Sequence, residues 1–295
     1  MSKVFFKKPE LKLLKDRSLT AVDMHFHTEY SMDAISKLNN VIKKAKKLNI
    51  GVAITDHNNT KGAIKAYKNK KKVMIIPGIE VSCKRGIHTL FYFYTIREIQ
   101  EFYRKEIKPR MEQNPFFISI YTENLIEISK KYNCIVCSPH PFAPGITGIH
   151  KIKISKNTLK NIDLIEVLNG YNLRNLNLKA LKWARLCKRG YTGGTDGHTT
   201  FELGNTLTYA EGSTIESFIK SLLKGKSTVM GTEENIFEKA VFAVSKEETY
   251  LKKAHEHKKS LLLIESQYKT EADYLKKCIK KDKKEILRWL KIHHL

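Results

Sequence analysis

Short apolar runs of four to seven residues alternate with segments of helical spacing through the first 210 positions, and several of the runs end on a histidine or an acid. The runs are Leu19 to Met24, Gly51 to Thr55, Val73 to Ile76, Thr89 to Thr95, Cys134 to Cys137, Ile162 to Leu168, Tyr191 to Gly194 and Thr206 to Ala210. Between them, Val41, Ala45 and Leu48 form one helical stripe, and Leu173, Leu176, Ala180, Trp183, Ala184 and Cys187 form another. Strand and helix in alternation predict a parallel sheet covered by helices. Seven or eight repeats in about 200 residues favour a barrel over an open sheet. At 295 residues and 41% hydrophobic, the chain can bury a full core, which excludes a disordered protein.

Composition narrows the setting. No stretch approaches the ~18 consecutive apolar residues of a membrane span, so no membrane association is expected. The segment Met1 to Arg17 has basic residues every few positions and no apolar centre, unlike a secretory signal. Five cysteines, an odd number in a long chain, do not make a disulfide framework, and a reduced, cytoplasmic location is the default. Net charge is +24, clustered at Lys37, Lys43, Lys44, Lys46 and Lys47 and again in six lysines between positions 61 and 72. Such faces attract polyanions, so nucleic acid is a candidate partner, although lysine used simply for solubility explains the excess equally well. Oligomeric state cannot be read from these features.

From about Lys246 the texture changes to a basic, mainly helical pattern. Residues 1–245 are therefore expected to form the barrel and residues 246–295 an extension. Thr270 can cap a helix with Glu271 and Asp273 in its first turn, and Tyr274, Cys278, Ile286, Trp289 and Leu290 then share a side. His255, His257, His293 and His294 fall in this tail and are expected to be solvated.

The residues just past the apolar runs carry the chemistry. The first run leads to His25-Phe26-His27, the second to Asp56-His57, and the third to Pro77-Gly78-Ile79-Glu80. Others lead to Ser138-Pro139-His140 and Thr195-Asp196-Gly197-His198, while His88 precedes a run eight residues past Glu80. Residues two apart on a strand share a face, so His25 and His27 can serve one ion, and Asp196 and His198 repeat the spacing. Parallel barrel strands converge at their C-terminal ends, which would gather these groups in one mouth. Imidazole nitrogen and carboxylate oxygen are ligands for zinc, manganese and iron, and a glutamate with two oxygens can bridge a metal pair. Any one of these histidines alone would more often be a hydrogen-bonded structural residue. Cys134 and Cys137 spell a CxxC, but residues three apart on a strand face opposite sides and no second pair exists, so a structural role is expected.

The segments DMHFHTEYSMDA (Asp23 to Ala34), AITDHNNTKG (Ala53 to Gly62), PGIEVS (Pro77 to Ser82), SPHPF (Ser138 to Phe142) and GGTDGH (Gly193 to His198) resemble the signature of the PHP (polymerase and histidinol phosphatase) superfamily. The resemblance runs from about Leu19 to Ala210. It implies a distorted (β/α)7 TIM-like barrel with a trinuclear metal site and phosphoesterase activity. Carried onto this sequence, it implies one metal on His25, His27, Glu80 and Asp196, and a second on Glu80, His88 and His140. A third would take His57, His198 and Asp33, where many members have histidine. Two or three divalent ions (zinc, manganese or iron) are implied, with magnesium an option at the third site because Asp33 is a harder ligand.

On this reading a phosphate ester is hydrolysed by a metal-bridging hydroxide, with Asp196 as the residue next to the attacking water. Asp23 and Asp56 are expected to orient ligand imidazoles. Arg85, Asn169 and Arg174 are candidates for gripping the substrate. A nucleotide or other small phosphomonoester is the expected substrate; the alternatives are an exonuclease acting on short RNA or DNA and a non-catalytic metal-binding scaffold.

Overall fold

A computed structural model of the chain describes residues 2–11, 19–70, 72–111 and 116–233. The expected helix after Thr270 and the whole extension from position 246 lie outside the described residues. No helix among the described residues is long and apolar enough to cross a membrane.

The strands are β1 (Lys3–Phe5), β2 (Leu19–Phe26), β3 (Gly51–Ile54), β4 (Ile75–Ser82), β5 (His88–Phe93), β6 (Cys134–Ser138), β7 (Leu164–Asn169), β8 (Gly190–Gly194), β9 (Thr206–Glu211) and β10 (Thr228–Gly231). They form one sheet in the order β1-β10-β9-β2-β3-β4-β5-β6-β7-β8. The helices that concern the site are α1 (Leu38–Leu48), α2 (Lys61–Lys68), α3 (Ile96–Phe102), α4 (Lys108–Met111), α5 (Thr122–Ser129), α6 (Lys156–Lys160), α7 (Arg174–Cys187) and α8 (Ile215–Leu223). Every apolar run expected to be a strand overlaps one, although Val73 and Met74 precede β4.

The sheet curls until its far end meets β2. Past the end of β8, the Asp196 N–H donates to the His25 carbonyl at 2.8 Å, and the His27 N–H donates to the Gly197 carbonyl at 3.0 Å. Gly194 permits this closure: a Cβ there would lie 2.3 Å from the His25 Cβ, so any side chain would push β8 off β2. The result is the distorted, seven-stranded TIM-like barrel that the sequence implied, β2 to β8, with β9, β10 and β1 attached to the outer edge of β2. One departure is in strand direction. β5 runs antiparallel to both β4 and β6, because only a short turn separates Ser82 from His88 and a parallel return needs a crossover of a dozen residues or more.

Strand alternation divides the core. Ile75, Ile79, Val81, Phe91, Phe93, Val136, Ile165 and Val167 belong to the main apolar cluster, which also takes Val41, Ala45, Ala63, Ala66, Leu125, Leu181 and Ala184 from the helices. The other face carries Ile76, Leu90, Tyr92, Cys137 and Leu164, packed with Phe218, Ile219 and Leu222 of α8. Glu80, His88 and Glu166 share strand parity with this second set. The polar cup thus stands on an apolar floor. Cys134 and Cys137 fall on opposite sides of β6 as their spacing requires: the Cys134 thiol reaches the Ser129 carbonyl (3.5 Å) and Cys137 sits 3.4 Å from the Thr192 hydroxyl. Burial pushes both thiols up to about 12.

Candidate metal centre

β2 delivers His25 and, one step past its end, His27. β4 delivers Glu80, the start of β5 delivers His88, the turn after β6 delivers His140, and the turn after β8 delivers Asp196 and His198. His57 follows β3, and Asp33 lies in the loop between β2 and α1. None of the nine is more than 9% exposed.

Four ligand atoms converge first. His25 Nε2 lies 3.2 Å from His27 Nε2 and 3.2 Å from Glu80 Oε2, and 3.3 Å from Asp196 Oδ1. His27 Nε2 lies 3.2 Å from Glu80 Oε2 and 3.1 Å from Asp196 Oδ1. The other oxygen of Glu80 turns away: Oε1 lies 3.0 Å from His88 Nδ1 and 3.0 Å from His140 Nε2. A third convergence joins Asp33 Oδ2 to His198 Nε2 at 2.9 Å and to His57 Nε2 at 3.4 Å, with His27 alongside. All nine sequence-predicted groups therefore meet in one cup, and His57 Nδ1, 3.3 Å from Glu80 Oε2, links the first and third sets.

The donor set fits cations. In its neutral form His25 donates Nδ1–H to Glu166 Oε1 at 3.1 Å, and because a carboxylate only accepts, Nε2 then has its lone pair facing inward. That lone pair meets a second imidazole nitrogen and two carboxylate oxygens, none of which needs to bring a proton. A tetrahedron with edges of this size has a centre about 2 Å from each corner, the length of a zinc–nitrogen or zinc–oxygen bond. His140 Nδ1 is buried with no partner among the described residues, so that ring is held on the cup side by Nε2 alone.

In the metal-free cup the buried carboxylates draw protons onto their imidazole neighbours, positive charge that a bound cation would replace. Burial by itself would push His25 down, but the carboxylates of Asp196, Glu80 and Glu166 outweigh it and hold the ring well above its usual range. Burial would raise Glu80, yet His25, His88 and His57 hold it well below the ordinary carboxylate range; Asp196 is likewise held low, by His25, His27 and His140. Burial takes His88 down to about 4. His140 is raised, because Glu80 and its neighbouring acids overcome burial.

These directions set a pH dependence for the metal-free protein. Groups with raised imidazole pKa values, His25 and His140, stabilise the fold below the unfolded value of about 6.5 and lose that contribution as pH climbs through the higher folded values. Metal-free protein should therefore melt at a lower temperature at pH 8.5 than at pH 6.5, and added zinc or manganese should raise the melting temperature more at the higher pH. Differential scanning calorimetry at the two pH values checks this; equal metal-induced shifts would contradict it.

Glu166 is the functional residue that sequence reasoning missed. Besides orienting His25, its Oε2 accepts the backbone N–H of His140 at 2.7 Å and the Asn169 amide at 2.9 Å. The only signal was a lone acid inside the apolar run LIEVLN. A Glu166→Gln variant would give His25 Nδ1 a carbonyl or a competing donor, and should weaken metal affinity by roughly 10- to 100-fold. Titration with a competing chelator measures this, and unchanged affinity would contradict it.

Asp23 and Asp56 do other work than expected. Asp23 lies one two-residue step, about 7 Å, deeper than His25. It accepts the Thr195 N–H (2.9 Å), the Thr195 hydroxyl and the Gly204 N–H (3.1 Å), tying the turn after β8 to β2. Asp56 accepts the Thr28 N–H at 2.6 Å and the Thr28 hydroxyl. Burial lifts both acids to about 6. Neither carboxylate bonds a ligand imidazole among the described contacts.

The three expected substrate residues also separate. Asn169 is buried with its hydrogen-bonding capacity used internally: the amide donates to Glu166 Oε2 and to Asp196 Oδ2 (3.1 Å), and Oδ1 accepts the Tyr171 and Asn172 N–H groups. It positions Asp196, with both ends of its amide engaged inside the protein. Arg174 is spent on Glu233, with Nε–Oε1 at 2.6 Å and a second bond of 2.8 Å, and lies over the Phe6 ring. It takes no part in the convergence. Arg85 is exposed, in the turn between Glu80 and His88, and stacks over the Tyr121 ring at 5.1 Å.

The chain is similar to several known proteins. Over 63 residues, 20% of this chain, the sequence is 48% identical to the DNA polymerase III subunit alpha of Borreliella burgdorferi, of which it spans 6%. Over 163 residues it is 28% identical to an uncharacterized protein of Methanocaldococcus jannaschii, covering 51% of this chain and 82% of that one. Among solved structures, the endonuclease Q complex with a 27-mer duplex bearing an abasic lesion superposes with a TM-score of 0.58 at 21% identity, over 73% of this chain and 60% of that one. A two-domain protein from Bacteroides vulgatus, described as containing a predicted PHP-like metal-dependent phosphoesterase, gives 0.55 at 14% identity over 78% and 69%. At these identities the structural likeness establishes the fold. The PHP domain model matches residues 23–292, most of the chain. With the barrel and its cup of imidazoles and carboxylates in place, that match makes this chain a member of the PHP domain family.

Proposed function

We propose that the chain hydrolyses phosphate esters with two or three divalent cations and that its substrate is a nucleotide or another small phosphomonoester. The observation that carries this reading is the double use of Glu80, whose two oxygens each face a different pair of imidazoles. On this reading His25, His27, Glu80 and Asp196 hold one cation, Glu80, His88 and His140 a second, and Asp33, His57 and His198 a third. Zinc, manganese or iron suit the first two sets, and the Asp33 oxygen makes magnesium an option for the third. Bound there, such ions supply Lewis acidity, lowering the pKa of water and neutralising charge on phosphoryl oxygens.

The chain's own groups do the rest. Asp196 accepts the proton of the attacking water while Asn169 holds its far oxygen, so the carboxylate is aimed before substrate arrives. Water adds to phosphorus, the bond to the ester oxygen breaks, and inorganic phosphate and an alcohol leave. Glu166 fixes the tautomer of His25.

A nuclease is the second reading, favoured by one specific observation. Lys84 and Arg85 both lie over the Tyr121 ring, at 5.0 and 5.1 Å, in the turn that joins Glu80 to His88. Neither cation has a carboxylate partner among the described residues, and Arg85 holds a left-handed backbone (φ 73°). Two cations held at one aromatic ring and not neutralised by a carboxylate suit the phosphates of a polynucleotide. The DNA-acting neighbours and the polymerase relative give DNA as the polymer to try.

The test is a panel of mononucleotides, sugar phosphates and end-labelled oligonucleotides, run over a range of salt on metal-reconstituted protein. Phosphate release from small esters supports the first reading, and salt-sensitive cleavage of oligonucleotides supports the second. Fully loaded protein inert on the whole panel would overturn both and leave a metal-binding scaffold.

A further inference from the structure

The loop after His198 presents an apolar side chain that the proposed chemistry does not use. Phe201 is 86% exposed, the most exposed large hydrophobic residue among those described. Its backbone is nevertheless firmly held. The Lys44 ammonium of α1 donates to the Thr200 carbonyl (3.0 Å) and the Phe201 carbonyl (2.9 Å). The Glu202 carboxylate accepts the N–H groups of His198 (3.0 Å) and Thr199 (2.5 Å). A flexible loop could fold its phenylalanine inward; this one is tied down with the ring outside.

Ile35, 54% exposed, lies on the other loop at the same place, and its N–H donates to the His198 carbonyl at 3.1 Å. Both residues therefore stand at the Asp33–His198 end of the cup, on the C-terminal side of β2 and β8. The helix that anchors the Phe201 loop is basic on its outer face. Lys43, Lys46 and Lys47 are exposed, and none has a carboxylate partner among the described residues. An apolar protein partner would be matched by apolar surroundings, whereas an aromatic ring beside a lysine face has the chemistry of single-stranded nucleic acid, with its stacking bases and anionic backbone.

We propose that Phe201, with Ile35 on the adjoining loop, is a stacking platform for one base of a single-stranded polynucleotide whose phosphates run along the lysine face of α1. This rests on the nuclease reading above and adds the place where the strand is gripped. The platform lets the enzyme distinguish a nucleotide that carries a base from one that does not, at the position next to the cup.

The test measures equilibrium binding, which needs no turnover. Fluorescence anisotropy follows the full chain with a labelled single-stranded phosphorothioate oligonucleotide and with matched oligonucleotides that carry an abasic spacer at successive positions. The native protein should prefer the fully based strand at one spacer position by roughly 5- to 150-fold, the worth of one stacked base. Phe201→Ala should bring that ratio close to one, and Phe201→Trp should keep it. Circular dichroism confirms the fold of both variants, which the exposure of the ring makes safe. An unchanged ratio in Phe201→Ala would overturn the proposal and leave the ring to a protein partner; so would absence of oligonucleotide binding by the native protein. Binding with the expected ratio but no cleavage of unmodified oligonucleotides would uphold the platform and overturn the nuclease reading separately.

Discussion

Glu80→Gln should lower hydrolysis on the order of 10³-fold or more and should reduce bound metal by at least one ion per chain. Glu80 is the one side chain whose two oxygens enter two ligand sets, 3.2 Å from His25 and His27 on one side and 3.0 Å from His88 and His140 on the other. The glutamine amide keeps the shape but puts an N–H₂ group against two imidazole nitrogens and removes the carboxylate whose two oxygens face the two pairs. Cations gathered on either side would then repel each other without compensation. Activity on the best ester, alongside elemental analysis, reads both effects. A variant with full metal and activity within tenfold of the native protein would show that Glu80 does not bridge.

Asp196→Asn should cost a similar factor in kcat while the fold survives. Its carboxylate offers Oδ1 to His25 and His27 and rests Oδ2 on the Asn169 amide. An asparagine can keep only one of these contacts: with its carbonyl on Asn169, its amide hydrogens face the imidazole lone pairs and occupy the space a cation needs. It also cannot take a proton from water. The backbone here is left-handed (φ 54°), a conformation asparagine tolerates well, so loss of folding would not be the explanation. Pre-steady-state kinetics with loaded protein separates a lost base from a lost ion. Rates equal to native would remove Asp196 from the chemistry.

Much of this site was legible because strand ends repeat. His25 and His27, Asp56-His57, Glu80, His140 and Asp196 with His198 each come after an apolar run, and a barrel gathers run ends without further instruction. Strand direction was not legible in the same way. The run from Thr89 carries no mark that β5 points backwards, and only the short turn from Ser82 to His88 decides it. Glu166 escaped because it sits inside a run, where an acid is normally excluded, and the two histidines it serves come from β2 and the turn after β6, far away in sequence. Adjacency in sequence points Asp23 and Asp56 toward the ligand imidazoles, yet side-chain reach sends them to Thr195 and Thr28. Arg174 looked available because its partner, Glu233, lies 59 residues later. Phe201 belonged to no periodic segment, and only its exposure draws notice.

The most direct measurement is anomalous diffraction, at the metal absorption edge, from crystals of reconstituted protein. At least two peaks are expected, one among His25, His27, Glu80 and Asp196 and one beside Glu80, His88 and His140, with a third near Asp33, His57 and His198 when that set is filled. A cup without any anomalous peak after full reconstitution would contradict the account.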